Sequence, residues 1–106
     1  MQEKVNRIMN AVCDVVGEVY NDKLDNLDLF TVKAQNIKRS VAAARQFTHY
    51  VMHHILGFSA TFSAKTTNMT RNTVFRNNKK VRDLLLADKQ YRIINEKLLK
   101  IFNNNE

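Results

Sequence analysis

The sequence predicts an all-helical protein. Two observations carry that prediction. The 106 residues contain no proline and only two glycines, Gly17 and Gly57, whereas sheets need the turn chemistry these residues supply. Apolar residues also recur at helical spacing through most of the chain. By the usual length prior, residues 1–106 form one domain with a modest core.

The first helix is expected over roughly residues 3–20, where Val5, Ile8, Met9, Val12, Val15, Val16 and Val19 make one apolar stripe. Asn21 and Asp22 break it. Leu24, Leu27, Leu29 and Phe30 fall in an acidic connector with room for one short helical turn. From about Thr31 to Arg39 the segment is polar, basic and without periodicity, so it reads as a loop or arm.

Ser40 is expected to cap the next helix by accepting a hydrogen bond from a free amide. That helix runs to about Leu56 and stops at Gly57, which suits a left-handed cap. Ala44, Phe47, Tyr50, Val51 and Ile55 form its buried stripe. Ser59 caps a short helix through roughly Lys65, anchored by Phe62. Asn68 tolerates positive φ and marks a tight turn. Thr70 caps a helix over about 71–87 that buries Val74, Val81, Leu84 and Leu85. Asp88 caps the last helix, with Tyr91, Ile94, Leu98, Ile101 and Phe102 inward and residues 103–106 as a frayed tail.

Charge gives the sharpest functional signal. Between Asp28 and Asp83 there is no Asp or Glu, yet there are ten bases: Lys33, Lys38, Arg39, Arg45, Lys65, Arg71, Arg76, Lys79, Lys80 and Arg82. Residues 1–28 carry a net −3 and residues 83–106 a net zero, so the surplus of +7 lies in the middle of the chain. Such a concentration attracts a polyanion, and for a small basic domain the commonest polyanion is nucleic acid.

A short helix, a turn and a longer helix with a polar start form a helix-turn-helix layout, here about residues 59–87. The second helix of that motif offers its first residues to base edges in the major groove. These are Thr70, Arg71, Asn72 and Thr73. Arginine pairs bidentately with guanine, asparagine with adenine, and threonine meets the thymine methyl group. Their bland roles are capping for the threonines and surface polarity for Asn72. Arg45, Lys65, Arg76, Lys79 and Lys80 are the candidate phosphate contacts.

Other chemistries find less support. His49 and His53 are four apart, with His54 adjacent, but a third metal ligand is missing from an acid-free stretch. These histidines are expected to edge the basic face, where phosphate would favour their charged form. No nucleophile–base or acid–base pair stands out, so no enzyme, catalytic residue, metal or cofactor is expected. Cys13, the single cysteine, reads as packing and excludes an intrachain disulfide. No signal-type segment and no run of about 18–20 apolar residues is present, which predicts a cytoplasmic protein without a membrane partner. The Asn68-Met69-Thr70 sequon is read as chance. RNA modules have aromatic strands or glycine-flanked loops that are not seen here.

Several segments together resemble the C-terminal DNA-binding domain of DnaA, the bacterial chromosomal replication initiator. Arg39-Ser40-Val41-Ala42-Ala43-Ala44-Arg45-Gln46, followed by Tyr50, is similar to that family's Arg-Ser-x-x-x-x-Arg-Gln signature. Thr73-Val74 is similar to its Thr-Val in the recognition helix, Lys79-Lys80-Val81 to its basic-basic-Ile/Val step, and Asp88 to its final cap. Cys13-Asp14-Val15-Val16-Gly17 and Asp28-Leu29 also suit the pattern, which spans about residues 5–102. The resemblance implies a DnaA-like, Trp-repressor-like helical fold that binds double-stranded DNA in replication initiation. It implies Lys38 and Arg39 in the minor groove, Arg45 near the backbone, and Thr70, Arg71, Asn72 and Thr73 at the major groove.

The chain departs from the family in the turn and reading residues. Where the family has Gly-Gly-Arg-Asp-His-Thr-Thr-Val, this chain has Thr67-Asn68-Met69-Thr70-Arg71-Asn72-Thr73-Val74. The stretch after Tyr50 is about one residue shorter. No G-x-x-x-x-G-K-[ST] occurs, so a DNA-binding module without its own ATPase is expected. The replaced Asp-His-Thr triplet motivates a rival expectation, a protein-interaction domain derived from the same fold. Replication or regulatory proteins would be its partners.

Overall fold

The computed structural model describes residues 2–26, 29–31 and 37–103. Five α-helices account for most of them: α1 (Gln2–Tyr20), α2 (Arg39–His49), α3 (Ala60–Thr66), α4 (Arg71–Ala87) and α5 (Lys89–Asn103). The end of α2 widens into one π-helical turn, Tyr50–Ile55. No strand occurs among the described residues.

Helix α2 is the centre of the molecule. Helices α1 and α4 pack against it, α5 closes over α1 and the π-turn, and α3 leans on α4. This enclosure explains a difference from the single stripe expected of α2. Ala43, Ala44, Phe47, Thr48, His49, Tyr50, Val51 and Met52 are all buried, because the second half of the helix meets neighbours on nearly every side. Phe47 lies at the core, with Tyr50 edge-on and Tyr91 tilted against its ring. Val5, Ile8, Val12 and Val16 of α1 and Ile94 and Leu98 of α5 complete the apolar cluster. Leu29 plugs it from the connector. Ile101 is half exposed and contributes less than its place on the α5 stripe suggests.

Local rules account for most helix ends. Ser59 Oγ accepts from the Phe62 amide and Thr70 Oγ1 from the Thr73 amide. Asp88 Oδ1 accepts from the amides of Gln90 and Tyr91, at 2.8 and 3.2 Å. Asn68 has φ 57° and Gly57 φ 76°, so both take the left-handed conformation their turns require. Gly17 answers to a different constraint. A Cβ there would sit 2.5 Å from the Asp22 carbonyl oxygen, because the chain folds back over α1 with the Asp22 amide bonded to the Gly17 carbonyl.

Two expectations at the start of α2 fail. Ser40 is not the cap. Lys38 occupies that position without a side-chain bond, and Ser40 lies inside the first turn, donating its hydroxyl to Asp22 Oδ2 at 2.5 Å. That bond, with Lys38 nearby, holds the Asp22 carboxyl below its usual range. Arg39 opens α2 and is not part of an extended arm. Of the expected loop, Val32–Asn36 lie outside the described residues, as do Leu27, Asp28 and the last three residues of the tail.

Cys13 is buried, and burial, helped by Asp14 and Asp25, pushes its thiol up to about 11, so it packs as a neutral group. No helix among the described residues is long and apolar enough to cross a membrane.

Candidate nucleic-acid interface

The turn Thr67–Thr70 sets the start of α4. Met69 donates its amide to the Ala64 carbonyl, which draws the turn back onto α3. Ala60, Ala64 and Val74 then form a small apolar cluster that joins the two helices. Thr70, Arg71 and Asn72 emerge from this support exposed to solvent, and Thr73 is half-buried. The Thr70 and Thr73 hydroxyl oxygens lie 3.0 Å apart, and Arg76 Nη2 donates to Thr73 Oγ1 at 3.1 Å.

Val74, Asn78 and Val81 turn one face of α4 inward. At about 100° per residue, the opposite face presents Asn72, Arg76, Lys79, Lys80 and Asp83. Arg71, Phe75 and Arg82 lie together on one flank of α4, between that face and the buried one. All of these side chains are exposed. No acid lies in the first turn of α4, so its free amides and the cations add to the same positive end.

A cleft of about 200 Å³ runs between α4 and the start of α2. Ile37, Ala42, Arg45 and Gln46 line one wall, and Thr73 and Asn77 the other. The end of the basic connector therefore sits beside the flank of α4. Arg45 is only half-buried, and its Nε donates to the Leu29 carbonyl. Its guanidinium lies 5.9 Å from the Phe30 ring centre, and burial lowers its pKa. Gln46 accepts from the Tyr91 hydroxyl, and burial raises the Tyr91 pKa.

The expected cations do not all stand alike. Lys65, on α3, is exposed, as are Arg71, Arg76, Lys80 and Arg82, and none of these five forms a close ion pair among the described residues, although Lys80 and Arg82 help hold the Asp83 carboxyl low. Lys79 pairs with Asp83 one turn on at 2.8 Å, which holds the Asp83 carboxyl low. Lys38 lies 3.9 Å from Asp22. Arg39 pairs with Asp88, the same carboxylate that caps α5. Lys33 lies outside the described residues.

The histidines do not edge one basic face as expected. His49 is fully buried. Its Nε2 is 2.8 Å from Thr67 Oγ1, and its Nδ1 is 2.8 Å from the Asn77 amide nitrogen. The Thr67 hydroxyl donates to the Ser63 carbonyl at 2.9 Å, so Nε2 carries the proton and Nδ1 accepts. Burial lowers the His49 pKa to about 4. Phe30 stacks on one face of the ring. His53 is bonded to the Phe58 carbonyl and His54 stacks on Tyr50. Among the described residues, no three His, Cys, Asp or Glu side chains come close enough to hold a metal ion.

His49, Thr67 and Asn77 thus tie α2 to the turn and to α4, a connection that sequence reasoning missed. Asn78 held a usable signal. It interrupts the stripe of Val74 and Val81, and its amide reaches the His49 and Val74 carbonyls at 3.4 and 2.8 Å. A polar residue on an apolar stripe implies a buried partner. No protein-family model, curated protein or solved structure matches this chain.

Proposed function

We propose that the protein is a double-stranded DNA-binding module, a helix-turn-helix domain of the DnaA C-terminal kind without its own ATPase. One observation carries the reading. The outward face of α4 presents Asn72, Arg76, Lys79 and Lys80, with Arg71 exposed on one flank of the first turn, on a helix with no acid before Asp83. A helix about 10–12 Å across with its side chains fits the B-DNA major groove, which is about 12 Å wide. Arg71 and Asn72 supply groups that pair with guanine and adenine edges. Arg76, Lys79, Lys80 and Lys65 supply phosphate contacts, and Arg45 with Thr73 lines the cleft beside them. Lys38 and Arg39 lie at the foot of the connector, the position from which a basic segment reaches a minor groove.

Titration of labelled random duplex at rising salt tests this reading. Five phosphate contacts give a slope of about −4 to −5 in log affinity against log salt, at roughly 0.9 per phosphate. Absence of duplex binding at about 50 mM salt, the low end for such comparisons, would favour the protein-interaction reading. The exposed Leu86 near the end of α4, 87% accessible, is the observation on that side.

A further inference from the structure

Phe75 stands apart from the other aromatic residues. It is 49% exposed and lies on the flank of α4 that also carries Arg71 and Arg82. Arg71 is one turn before it and Arg82 two turns after. The inner side of its ring meets His53 edge-on, with centroids 5.6 Å apart and planes at 83°. His53 is itself fixed, because its Nδ1 lies 2.7 Å from the Phe58 carbonyl oxygen. A carbonyl only accepts, so Nδ1 carries the proton. The Phe75 ring is therefore propped from within and bare outside.

An apolar ring set among cations does not suit a phosphate. It suits the one apolar group that a base pair shows in the major groove, the C5-methyl group of thymine. The C5-methyl of 5-methylcytosine occupies the same place. Four residues of helix advance about 6 Å, close to two base steps of about 3.4 Å. A ring at Phe75 therefore lies within reach of a base near the one that Arg71 meets.

Resting on the DNA-binding reading, we infer that Phe75 is a specificity-determining residue that packs on the C5-methyl group of a pyrimidine within two steps of the guanine paired with Arg71. The site then prefers thymine or 5-methylcytosine at that position over their unmethylated counterparts. Lys79 and Arg82 hold the adjoining backbone, and His53 keeps the ring from folding down.

The test begins with duplexes selected by the full chain from a random library. Each thymidine is replaced in turn by deoxyuridine, which lacks only the methyl group. One position should lose about fourfold in affinity, the factor expected for burying a single methyl-sized group. Cytosine at that position should bind more tightly when methylated. Phe75→Ala should bind thymine and uracil duplexes alike, with an unchanged salt slope. Phe75→Leu, a milder change, should keep part of the preference and guards against a folding defect in the alanine variant.

A wild-type protein indifferent to every thymidine replacement would overturn the inference and leave DNA binding intact. So would a methyl preference that survives in Phe75→Ala. Dimerisation lost in Phe75→Ala without a change in base preference would assign the ring to a protein contact. Failure to bind any duplex would remove the DNA-binding reading and this inference with it.

Discussion

The imidazole of His49 and the amide of Asn77 meet at 2.8 Å across the junction of α2 and α4. The bond is partly buried and needs an unprotonated Nδ1. It thereby couples the placement of α4, the cationic helix, to the charge state of one residue in the core. Thr67 completes the link at the other ring nitrogen.

Acid should therefore weaken the fold through His49. Its pKa is about 4 in the folded chain against 6.5 as the ordinary value. Between these values the unfolded chain binds a proton that the folded chain refuses. The stabilisation is complete above about pH 6.5 and is lost as pH falls towards 4, by on the order of 3 kcal/mol. Denaturant midpoints measured from pH 7 to pH 4 should fall over this window. In His49→Gln, a lower overall stability with a flatter profile is expected. An equally steep profile in that variant would assign the pH dependence to other groups.

Asp88 serves α5 as a cap and Arg39 as a counterion. Asn caps helices about as well as Asp, so Asp88→Asn should cost little stability while removing the counterion of Arg39 and leaving its interaction with Tyr20. Duplex affinity should rise, and the salt slope should steepen by about one unit, the contribution of one added phosphate contact. Isothermal titration at two salt concentrations measures both. Unchanged affinity would show that Arg39 does not face DNA.

Arg71 and Lys79 should separate by the kind of loss each causes. Arg71→Ala is expected to relax discrimination by about 1–3 kcal/mol at one base pair. Lys79→Ala should weaken all duplexes alike, and only modestly, because part of its charge is already met by Asp83. Competition binding against a panel of single-base variants distinguishes the two patterns. Equal effects of both changes on every sequence would remove Arg71 from base reading.

Gly17→Ala should be destabilising despite the higher helix propensity of alanine. The new methyl carbon meets the Asp22 carbonyl oxygen, a backbone atom, and one of the two must move. A cost of about 1–3 kcal/mol is expected, as for overpacking in a core. Thermal unfolding monitored by circular dichroism gives the value, and an unchanged or raised Tm would show that the chain reversal is pliable.

The residues that end helices were readable from neighbours alone. Ser59, Thr70 and Asp88 cap through amides two or three positions away, and Asn68 and Gly57 satisfy a backbone angle of their own. The ends of α4 were likewise anticipated from Thr70 and Asp88. Ser40 looked like the same kind of signal. It failed because Asp22, eighteen residues earlier, offers its hydroxyl a charged acceptor. The exposure of Asn72, Arg76, Lys79 and Lys80 followed from helical periodicity around Val74 and Val81, so most of the candidate face was legible. The partial confinement of Arg45 and the pairing of Arg39 were not.

What the residue order determined by itself is the all-helical architecture, most of its boundaries and the separation of charge along the chain. These depend on hydrogen bonds within one turn and on the repeat of apolar side chains, both properties of short segments. Only the packed molecule decided which cations keep an acidic partner, that His49 is an internal neutral link, and that Phe75 stands bare. Those outcomes rest on contacts between atoms far apart in sequence, such as Arg39 with Asp88 and His49 with Asn77. Local pattern carries no information on such distances until the helices have chosen their neighbours.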